Sequence, residues 1–348
     1  MRFYTQAHQH YCGIDLHARS MYVCILDPGG KVLVHQNIDA VPEALLQLIA
    51  AYRDDLVIGV ECMFTWYWLA DLGARERIHF VLGHALYMRA IHGGKAKNDR
   101  IDAYKIAALL KGGTFPQAYV YPAPMRATRD LMRRRNYLMR KRAELLAHIQ
   151  NTNSQYNLAP FGARIAKPSE RRELLAHFPD AQVRKTIEVD VGLIDYYDRV
   201  LPRLEDHIER SAQGHDPVAL ALLRSVPGIG HILALVILYE LERIGRFARV
   251  QDFLSYCRLV KPMRESAGKI YGHAGKKIGN VHLKWAFSEA AVTFLRANRE
   301  GQALVKRLEK RFGKPKALSI LAAKLARAIY FMLQRKEPFN REQFFASS

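Results

Sequence analysis

Hydrophobic and polar residues in the first third of the chain alternate between short apolar runs and segments with helical spacing. Three apolar runs come first, and the turn residues Pro28, Gly29 and Gly30 separate the second run from the third, which is typical of a β-hairpin. Apolar residues three and four positions apart then predict a helix, followed by two further strand–helix pairs. The predicted strands are residues 11–14, 22–26, 32–36, 56–60 and 79–82, and the predicted helices are residues 42–52, 66–72 and 101–110. This order predicts a mixed sheet covered by helices.

The middle of the chain predicts two long helices, over residues 128–155 and 187–211. In the first, Leu131, Leu138 and Leu145 recur every seven residues, which is typical of a coiled coil. The first helix is basic and the second is acidic, and the sequence leaves two interpretations of this contrast open. One is an antiparallel helical hairpin whose opposite charges pair. The other is a stalk for oligomerisation with a basic face for nucleic acid.

The charge of the chain indicates a polyanionic partner. The chain has 53 Lys and Arg against 33 Asp and Glu, a net charge of +20. Residues 216–348 carry 24 basic and 10 acidic residues, a net +14, so the surplus is concentrated in the last third. Phosphate contacts that release counterions are the usual role of such a surplus, which favours nucleic acid over a membrane surface. Pro122 and Pro124 mark the first boundary of three expected domains, over residues 1–122, 123–215 and 216–348.

Other features argue against a zinc-binding, secreted or membrane protein. The 4 cysteines form no CxxC pair, so we expect no cysteine zinc site and interpret them as buried thiols of a reducing cytoplasm. The first ten residues lack the apolar segment of a signal peptide. The longest apolar run, residues 232–239, is too short to span a bilayer. We therefore expect a cytoplasmic protein with no membrane partner.

Four carboxylates occupy positions where isolated acids are uncommon. Asp15 ends the first apolar run, and Glu61 ends the run over residues 56–60. A buried strand excludes an acid unless the acid is paired or binds a metal. Asp99 and Asp102 stand three residues apart at a predicted helix start and share a face, although Asp99 alone could be an N-cap. Together the four suit two-metal phosphoryl transfer, in which carboxylates hold Mg²⁺ ions about 3.5–4 Å apart.

Two glycine-rich segments lie in the basic last third. Residues 227–230, Pro-Gly-Ile-Gly, are typical of a helix-hairpin-helix turn that binds a phosphate through backbone N–H groups, and a plain interhelical turn is the alternative. Residues 261–284 combine glycines with lysines and arginines, which suits a backbone that approaches phosphates closely. Ser266 lies in this segment. Composition alone does not make it a nucleophile, because a serine needs activation to attack.

Together these segments resemble the DEDD-type transposases of insertion-sequence family 110, relatives of the Piv and MooV invertases. The resemblance runs from Tyr11 to about Phe339. The G-I-D segment ends at Asp15, and the family glutamate corresponds to Glu61. The other matching motifs are K-x-D-x-x-D-A at residues 97–103, P-G-I-G at 227–230, E-S at 265–266 and G-N-x-x-L-[RK] at 279–284.

The chain departs from the family pattern in two places. The family often has E-A-T-G or E-A-S-G starting at the glutamate, whereas residues 61–65 of this chain are E-C-M-F-T, which predicts a different shape for the catalytic rim. Many members follow the serine with a glycine, whereas here Ala267 stands between Ser266 and Gly268.

The resemblance implies an architecture and a chemistry. It implies an N-terminal RuvC-like (ribonuclease-H-like) domain, a helical coiled-coil stalk and a mainly helical C-terminal transposase domain with a helix-hairpin-helix. It assigns Asp15, Glu61, Asp99 and Asp102 as catalytic ligands of Mg²⁺, with Mn²⁺ as the alternative ion. It assigns Ser266 as the nucleophile that forms a covalent phosphoserine intermediate with DNA.

The resemblance also implies partners. Family members use a structured noncoding guide RNA, the bridge RNA, that pairs with double-stranded donor and target DNA. Their active site joins the carboxylates of one subunit to the serine of another, and a tetramer, a dimer of dimers, is the expected working state. A bacterial cytoplasmic protein associated with the nucleoid is therefore expected.

The basic and glycine residues of these motifs are the candidates for contact with nucleic acid. They are Lys97, Arg133, Arg134, Arg135, Arg140, Gly228, Gly230, Arg264, Lys269, Lys276, Lys277 and Lys284. The alternative function is a structure-selective nuclease of the type that resolves Holliday junctions, which uses the carboxylates and water without a covalent step. The predicted stalk and the basic last third argue against this alternative, because a resolvase does not need them.

Overall fold

The computed structural model describes residues 2–91, 98–161, 163–171, 173–260, 263–273, 278–296 and 298–346. The chain divides into two compact units, Met1–Ala123 and Pro124–Ser348. The predicted three-domain division, with its second boundary after residue 215, stays a prediction.

The first unit is built on a five-stranded mixed sheet. Its strands are β1 (Phe3–Tyr4), β2 (His10–Leu16), β3 (Ser20–Leu26), β4 (Val32–Asp39), β5 (Leu56–Glu61), β6 (His79–Gly83) and β7 (Phe115–Pro116), and its helices are α1 (Pro42–Ile49), α2 (Tyr67–Glu76), α3 (Ala85–Ile91) and α4 (Asp99–Lys111). The sheet order is β4-β3-β2-β5-β6, in which β3 is antiparallel to both neighbours and β5 is parallel to both. This mixed α/β arrangement is compatible with the predicted RuvC-like domain.

The two faces of the sheet carry different helices. Side chains alternate along β2, so Cys12, Ile14 and Leu16 share one face and pack with the apolar residues of α1 and α2. Tyr11 lies on the opposite face, in the cluster that contains the buried residues of α4. The sheet is therefore buried on both sides, which explains why its central strands are apolar at nearly every position.

The five strands of the main sheet match the predicted runs and extend up to three residues beyond them. The helix predicted over residues 42–52 is α-helical only to Ile49 and continues as a 3-10 turn over Ala50–Asp55. Helix α3 and the antiparallel pair of β1 with β7 were not predicted. Each strand of that pair has two residues, which is too short to show a periodicity.

Two long helices open the second unit. They are α5 (Ala123–Gln155) and α6 (Ala181–His215). Helix α5 starts five residues before the predicted start, because Pro124 is tolerated in a first turn, where its missing N–H has no partner to lose. Helix α6 starts six residues early and continues through Pro202.

Ion pairs join the basic helix α5 to the acidic helix α6. Arg135 pairs with Glu205, Arg142 with Asp198 and His148 with Asp190. The partners move back along α6 as they move forward along α5, so the helices run antiparallel with opposite charges paired. This is the first of the two interpretations that the sequence left open. Oligomerisation through a coiled-coil stalk stays a prediction.

The connection between α5 and α6 closes the far end of this helical pair. It contains 3-10 turns at Ala163–Ala166, Pro168–Arg171 and Leu174–His177. Arg171, only 3% exposed, donates to the carboxylates of Asp195 and Asp198 and to two backbone carbonyls. Phe178 and Ile149 belong to the small hydrophobic core beneath it.

The rest of the second unit is mainly helical, as predicted, with one short hairpin that was not predicted. Its elements are α7 (Pro217–Arg224), α8 (His231–Leu241), α9 (Val250–Tyr256), β8 (Met263–Ser266), β9 (Lys269–His273), α10 (Val281–Phe294), α11 (Arg299–Phe312), α12 (Lys314–Arg335) and α13 (Arg341–Ala346). Helix α8 is buried over its last nine residues and packs with α10 and α12 in one large core.

Within the described residues, helix α12, with 22 residues, is long and apolar enough to cross a membrane by length and composition. Half of its most apolar stretch is buried. Leu321, Leu325 and Ile329 on this helix are fully buried in the core that includes α8 and α10. We therefore interpret α12 as a core helix. It is longer than the apolar run over residues 232–239.

Three of the four cysteines are buried, as expected, and one is not. Cys12, Cys24 and Cys257 are buried, and burial raises the pKa of the Cys24 thiol to about 11. Cys62 is exposed, so its interpretation as a buried thiol is wrong. The reason is its position immediately after β5, where the chain leaves the sheet.

Candidate active site

Asp15 and Glu61 lie at the same end of two neighbouring parallel strands. Ile14 on β2 pairs with Val60 on β5, so each carboxylate stands one residue beyond this pair. Alternation along the strands puts both carboxylates on the face that α4 covers. The two acids that end apolar strands therefore lie side by side at the same end of neighbouring strands. We call this end of the sheet, with Asp15, Glu61 and the first turn of α4 (Asp99 and Asp102), the carboxylate edge.

Close packing brings α4 onto these strands. A Cβ at Gly13 would lie within 3.0 Å of backbone atoms of Ala103 and Ala107, which no real Cβ tolerates. Gly59, the register partner of Gly13 on β5, would meet the Leu110 Cδ1 at 2.7 Å. Glycine at both positions lets the helix lie directly on the strands. This contact fixes the start of α4 near the strand ends.

The first turn of α4 presents the second pair of carboxylates. Asn98 caps the helix, because its Oδ1 accepts a hydrogen bond from a backbone N–H three residues later at 2.8 Å. Asp99 is the first helical residue, so the ordinary explanation of Asp99 as the N-cap is wrong. Asp102 follows in the same turn, where negative charge is favoured by the helix dipole. The His35 Nε2 donates to the carbonyl of Arg100 at 2.9 Å and ties this turn to β4.

His17 joins two of the carboxylates and was missed by the sequence analysis. Its Nε2 lies 3.5 Å from an Oδ2 of Asp15 and 3.5 Å from an Oδ2 of Asp99. The ligand atoms of the three residues lie within 4.8 Å of one another. Two carboxylates and an imidazole at this separation, reached by solvent, fit one divalent cation. The signal was the position of His17, two residues after a carboxylate that ends a strand.

The other two predicted carboxylates lie near this group without joining it. Asp102 stands on the same helix face as Asp99, and its Oδ1 is 3.5 Å from the Lys105 Nζ. Glu61 ends the strand beside Asp15. Within the described part of the chain, a group of three ligands at metal spacing comprises Asp15, His17 and Asp99. The four-carboxylate metal site stays a prediction.

The segment after Glu61 is held by backbone contacts and is exposed at its tip. The Cys62 N–H donates to the Gly83 carbonyl at 2.9 Å, and the Thr65 Oγ1 donates to the Leu16 carbonyl at 3.2 Å. Phe64 is 82% exposed between these anchors. The departure from the family pattern therefore replaces small residues with a large apolar one at the rim of the carboxylate edge.

Ser266 lies at the tip of a β-hairpin in the second unit. We call strands β8 and β9 with their turn the serine hairpin. Ser266 pairs with Lys269, and the two residues between them, Ala267 and Gly268, have φ angles of 50° and 74°. Two central residues with positive φ are typical of a tight type I′ turn. Residues 265–270 are exposed, so the hydroxyl is open to a large substrate.

Contacts near the end of α9 join the described residues that precede the serine hairpin to those that follow it. The Asn280 N–H donates to the Tyr256 carbonyl at 2.6 Å, and the Arg258 Nε donates to the Gly279 carbonyl at 2.8 Å. Gly279 has a φ of 94°, and a Cβ there would lie 2.6 Å from the Tyr256 carbonyl oxygen. The Asn280 Oδ1 also caps α10. The G-N-x-x-L-[RK] motif therefore has a structural role.

A buried carboxylate connects this anchor to α5. The Glu240 side chain is 2% exposed and accepts hydrogen bonds from Arg129, Arg133 and the Asn280 Nδ2. Burial alone would raise the pKa of Glu240, but the two guanidinium groups and the amide outweigh it and lower the pKa to about 2. Glu240 is therefore an ionised residue inside the core, held by its partners.

The Pro-Gly-Ile-Gly turn joins α7 to α8, and its two glycines have different surroundings. Gly228 has a φ of 83°, and a Cβ there would lie 2.6 Å from the Cα of Phe294 on α10. The Thr293 Oγ1 donates to the Gly228 carbonyl at 2.5 Å. Gly230 precedes α8, and a Cβ there would meet no atom within 4 Å. Gly228 thus serves packing, whereas the backbone at Gly230 is open to a ligand.

The other residues predicted to contact nucleic acid also differ in their surroundings. Arg133 and Arg135 are held by Glu240 and Glu205, whereas Arg134 and Arg140 are exposed on α5. Lys269 and Lys284 are exposed on β9 and α10, and the backbone of Arg264 pairs with Gly272 in the serine hairpin. Lys97, Lys276 and Lys277 lie outside the described residues. Their contact with nucleic acid stays a prediction.

Comparisons with known proteins match both segments of the chain that contain the candidate site residues. Residues 12–157 match the DEDD-type IS110 transposase model, and residues 220–306 match the model of the transposase IS116/IS110/IS902 family. The chain belongs to the IS110 family of transposases. It is also similar to the transposase for insertion sequence element IS1111A of Coxiella burnetii (strain RSA 493 / Nine Mile phase I), with 22% identity over 94% of this chain and 90% of that protein.

Membership of the IS110 family makes the chain an enzyme that cleaves and rejoins DNA, and the DEDD domain indicates use of a divalent metal. The predicted family is confirmed. The first matched segment contains Asp15, Glu61, Asp99 and Asp102, and the second contains the Pro-Gly-Ile-Gly turn and Ser266. The matches do not assign roles to these residues.

Proposed function

We propose that this transposase recombines donor and target DNA through a covalent phosphoserine intermediate and is guided by a structured noncoding RNA. The observation that supports the proposal is that this member of the transposase family has two candidate sites. A carboxylate group with metal-ligand spacing lies in the first unit, and an exposed serine at the tip of a hairpin lies in the second.

The carboxylate edge suits binding of Mg²⁺, with Mn²⁺ as the alternative. Asp15 and Asp99 would provide oxygen ligands and His17 a nitrogen ligand. Glu61 on the neighbouring strand and Asp102 in the same helical turn as Asp99 would add negative charge nearby. A divalent ion bound there would offset the charge of a phosphodiester. The residues themselves hold the site open to solvent at the strand ends, where a DNA backbone can reach it.

Ser266 would act in two balanced steps. In cleavage, its Oγ bonds to the scissile phosphorus, the bond from phosphorus to the leaving strand oxygen breaks, and that oxygen takes up a proton as the serine loses one. In rejoining, the hydroxyl of the new strand attacks the phosphoserine, and Ser266 recovers its proton. The phosphodiester bond energy is kept in the intermediate, so rejoining needs no external energy source.

The proposed partners are double-stranded donor and target DNA, a guide RNA and further copies of the chain. The net charge of +20 favours the nucleic acids. For self-association, α6 offers an exposed apolar stripe at heptad spacing, formed by Val189, Leu193 and Tyr196. A tetramer acting on the bacterial nucleoid in the cytoplasm is the proposed working state.

The alternative function is a metal-dependent nuclease that resolves DNA junctions with water as the nucleophile. The carboxylate edge alone suits this reaction as well. Family membership favours recombination, because it implies rejoining as well as cleavage. The serine hairpin also favours recombination, since hydrolysis by water needs no exposed serine.

The test is recombination in a purified system. The protein, the RNA encoded beside its gene, labelled donor and target duplexes and Mg²⁺ are combined, and joined donor–target strands are measured. Joined product that forms only with the RNA present and is lost in Asp15→Asn would support the proposal. Asp54→Asn, which removes an exposed carboxylate elsewhere, is the control and should remain active. Cut but unjoined DNA, formed equally without RNA, would instead establish the nuclease function.

A further inference from the structure

A groove with basic and aromatic walls lies at the C-terminal end of the second unit. We call it the basic–aromatic groove; it is bounded by one face of α12, by residues 337–340 and by α13, and its volume is about 500 Å³. This volume falls within the ~300–1,000 Å³ range of ligand-binding clefts in proteins. None of the residues that line it belongs to the carboxylate edge or to the serine hairpin.

One wall of the groove is a charged stripe along α12. Lys324, Arg327, Phe331 and Arg335 lie three, four and four residues apart, so they share a face of the helix. The guanidinium groups of Arg327 and Arg335 lie 5.6 and 5.5 Å from the centre of the Phe331 ring. One aromatic ring therefore sits between two cations that can bind phosphates.

The opposite wall is aromatic and is held in place. Phe339 and Phe344 have ring centres 5.4 Å apart, and the Lys324 Nζ lies 5.0 Å from the centre of the Phe344 ring. The Phe339 N–H donates to the Ser225 Oγ at 3.1 Å, which fixes the returning chain against the end of α7. Contacts within the folded chain therefore hold this wall of the groove in position.

Charge in the groove is strongly one-sided. Three cations of α12 line it, and Glu337 is the carboxylate among the lining residues. Lys324, Arg327 and Arg335 share one face of α12, so an anion in the groove would offset the repulsion between them. Planar guanidinium groups bind phosphate through two parallel hydrogen bonds.

We propose that the basic–aromatic groove binds unpaired nucleotides of a single-stranded nucleic acid, with phosphates on Arg327 and Arg335 and a base against Phe339. A duplex offers phosphates to such a surface but keeps the faces of its bases stacked inside, so the aromatic wall would be unused. The proposal rests on nucleic-acid binding by the transposase. It does not depend on the chemistry of Ser266 or of the carboxylates.

Binding is measured by fluorescence anisotropy with full-length Ser266→Ala protein in EDTA, so that no strand is cut. The probes are a short oligouridylate RNA, an oligothymidylate DNA and a blunt duplex, each titrated over a range of salt. The groove variant is Arg327→Ala/Arg335→Ala. The charge-matched control is Lys306→Ala/Lys310→Ala, which removes two exposed cations of α11 that do not line the groove. Circular dichroism verifies that both fold.

We expect the groove variant to lower the salt slope of single-strand binding by about 1.4, the contribution of two phosphate contacts. We expect the control to leave the ratio of single-strand to duplex affinity unchanged. Phe339→Leu, which keeps an apolar residue in the wall, should weaken single-strand binding ~10-fold, as expected for one lost stacked base, and leave duplex binding unchanged. A larger effect on the RNA than on the DNA probe would identify RNA as the source of the nucleotides.

Equal losses for single strands and duplex in the groove variant would overturn the proposal, because the groove would then be a general phosphate-binding surface. An unchanged affinity for all three probes in both groove variants would also overturn it. If the wild-type protein bound no probe, nucleic-acid binding itself, and with it the proposed function, would fail. The two failures are therefore distinguishable.

Discussion

Gly13 on strand β2 lies directly beneath Ala103 of helix α4, so closely that a Cβ on Gly13 would lie within 3.0 Å of the backbone of the helix. This contact connects the fold to the chemistry. It sets the height of α4 above the sheet, and so the distance between Asp15 at the strand end and Asp99 at the helix start. Both carboxylates reach the same imidazole, that of His17, only because the helix lies this low.

Gly13→Ala should therefore push α4 away from the sheet. We expect a loss of about 1–3 kcal/mol in the free energy of unfolding, as for other overpacked cores, and weaker binding of divalent metal. Urea unfolding and calorimetric titration with Mn²⁺ measure the two effects. Gly29→Ala, in the exposed turn between β3 and β4, is the control and should change neither. An unchanged metal affinity in Gly13→Ala would show that the distance between α4 and the sheet does not determine metal binding.

His17→Ala tests whether the imidazole is a ligand. Imidazole suits later transition metals better than Mg²⁺, so its loss should weaken binding of Mn²⁺ more than binding of Mg²⁺. Electron paramagnetic resonance of bound Mn²⁺, with Mg²⁺ as competitor, measures the ratio of the two affinities. His10→Ala is the matched control, because His10 lies at the opposite end of β2. An unchanged ratio in His17→Ala would leave carboxylates alone as the ligands.

Ala267 holds the turn of the serine hairpin in a left-handed conformation, with a φ of 50°. An L-residue with a Cβ loses roughly 1–2 kcal/mol in this conformation, whereas glycine does not. We expect Ala267→Gly to slow amide hydrogen exchange in the serine hairpin. Gly268→Ala, at a φ of 74°, should have the opposite effect and speed exchange. Changes of the same sign in both variants would contradict the turn geometry.

Glu240 should make the stability of the second unit depend on pH in the acidic range. Its pKa is lowered from 4.5 to about 2 in the folded chain, so its contribution is complete above pH ~4.5 and is lost as the pH falls towards ~2. The size of this contribution is on the order of 3 kcal/mol. Glu240→Gln should therefore be strongly destabilising at pH 7 and less so at pH 3.

Chemical unfolding of wild type and Glu240→Gln at both pH values measures this difference. Glu289→Gln, an exposed residue of α10, is the control for the loss of one carboxylate. If the difference in free energy of unfolding between wild type and Glu240→Gln were equal at pH 7 and pH 3, Glu240 would not be held ionised by its arginines.

The sequence predicts the sheet and its acidic edge well, because strand alternation and an acid after an apolar run are local signals. It does not predict His17 as a third ligand, because that role depends on α4, about eighty residues further along the chain. Arg133 looks like a nucleic-acid contact on a basic helix, yet its partner Glu240 lies in another helix more than a hundred residues away. Asn280 likewise looked like part of a phosphate-binding segment, although it caps α10 and binds Glu240.

The serine hairpin, in contrast to the sheet, could not be predicted from local sequence patterns. Residues 263–273 have no strand periodicity, and alanine is not a residue that signals a left-handed turn. Only the family resemblance indicated Ser266 within this segment. The placement of Ser266 at the tip of the hairpin, beside a strained alanine where the family often has glycine, is visible only in the structure.

The most direct measurement is the covalent capture of DNA by Ser266. Wild-type protein and Ser266→Ala are incubated with the guide RNA, labelled donor and target DNA and Mg²⁺, and label attached to protein is counted on a denaturing gel. Label on the wild type and none on Ser266→Ala, while Ser255→Ala on α9 behaves as wild type, is the expected result. Cut DNA with no label on any of the three proteins would contradict the phosphoserine mechanism and favour hydrolysis at the carboxylate edge.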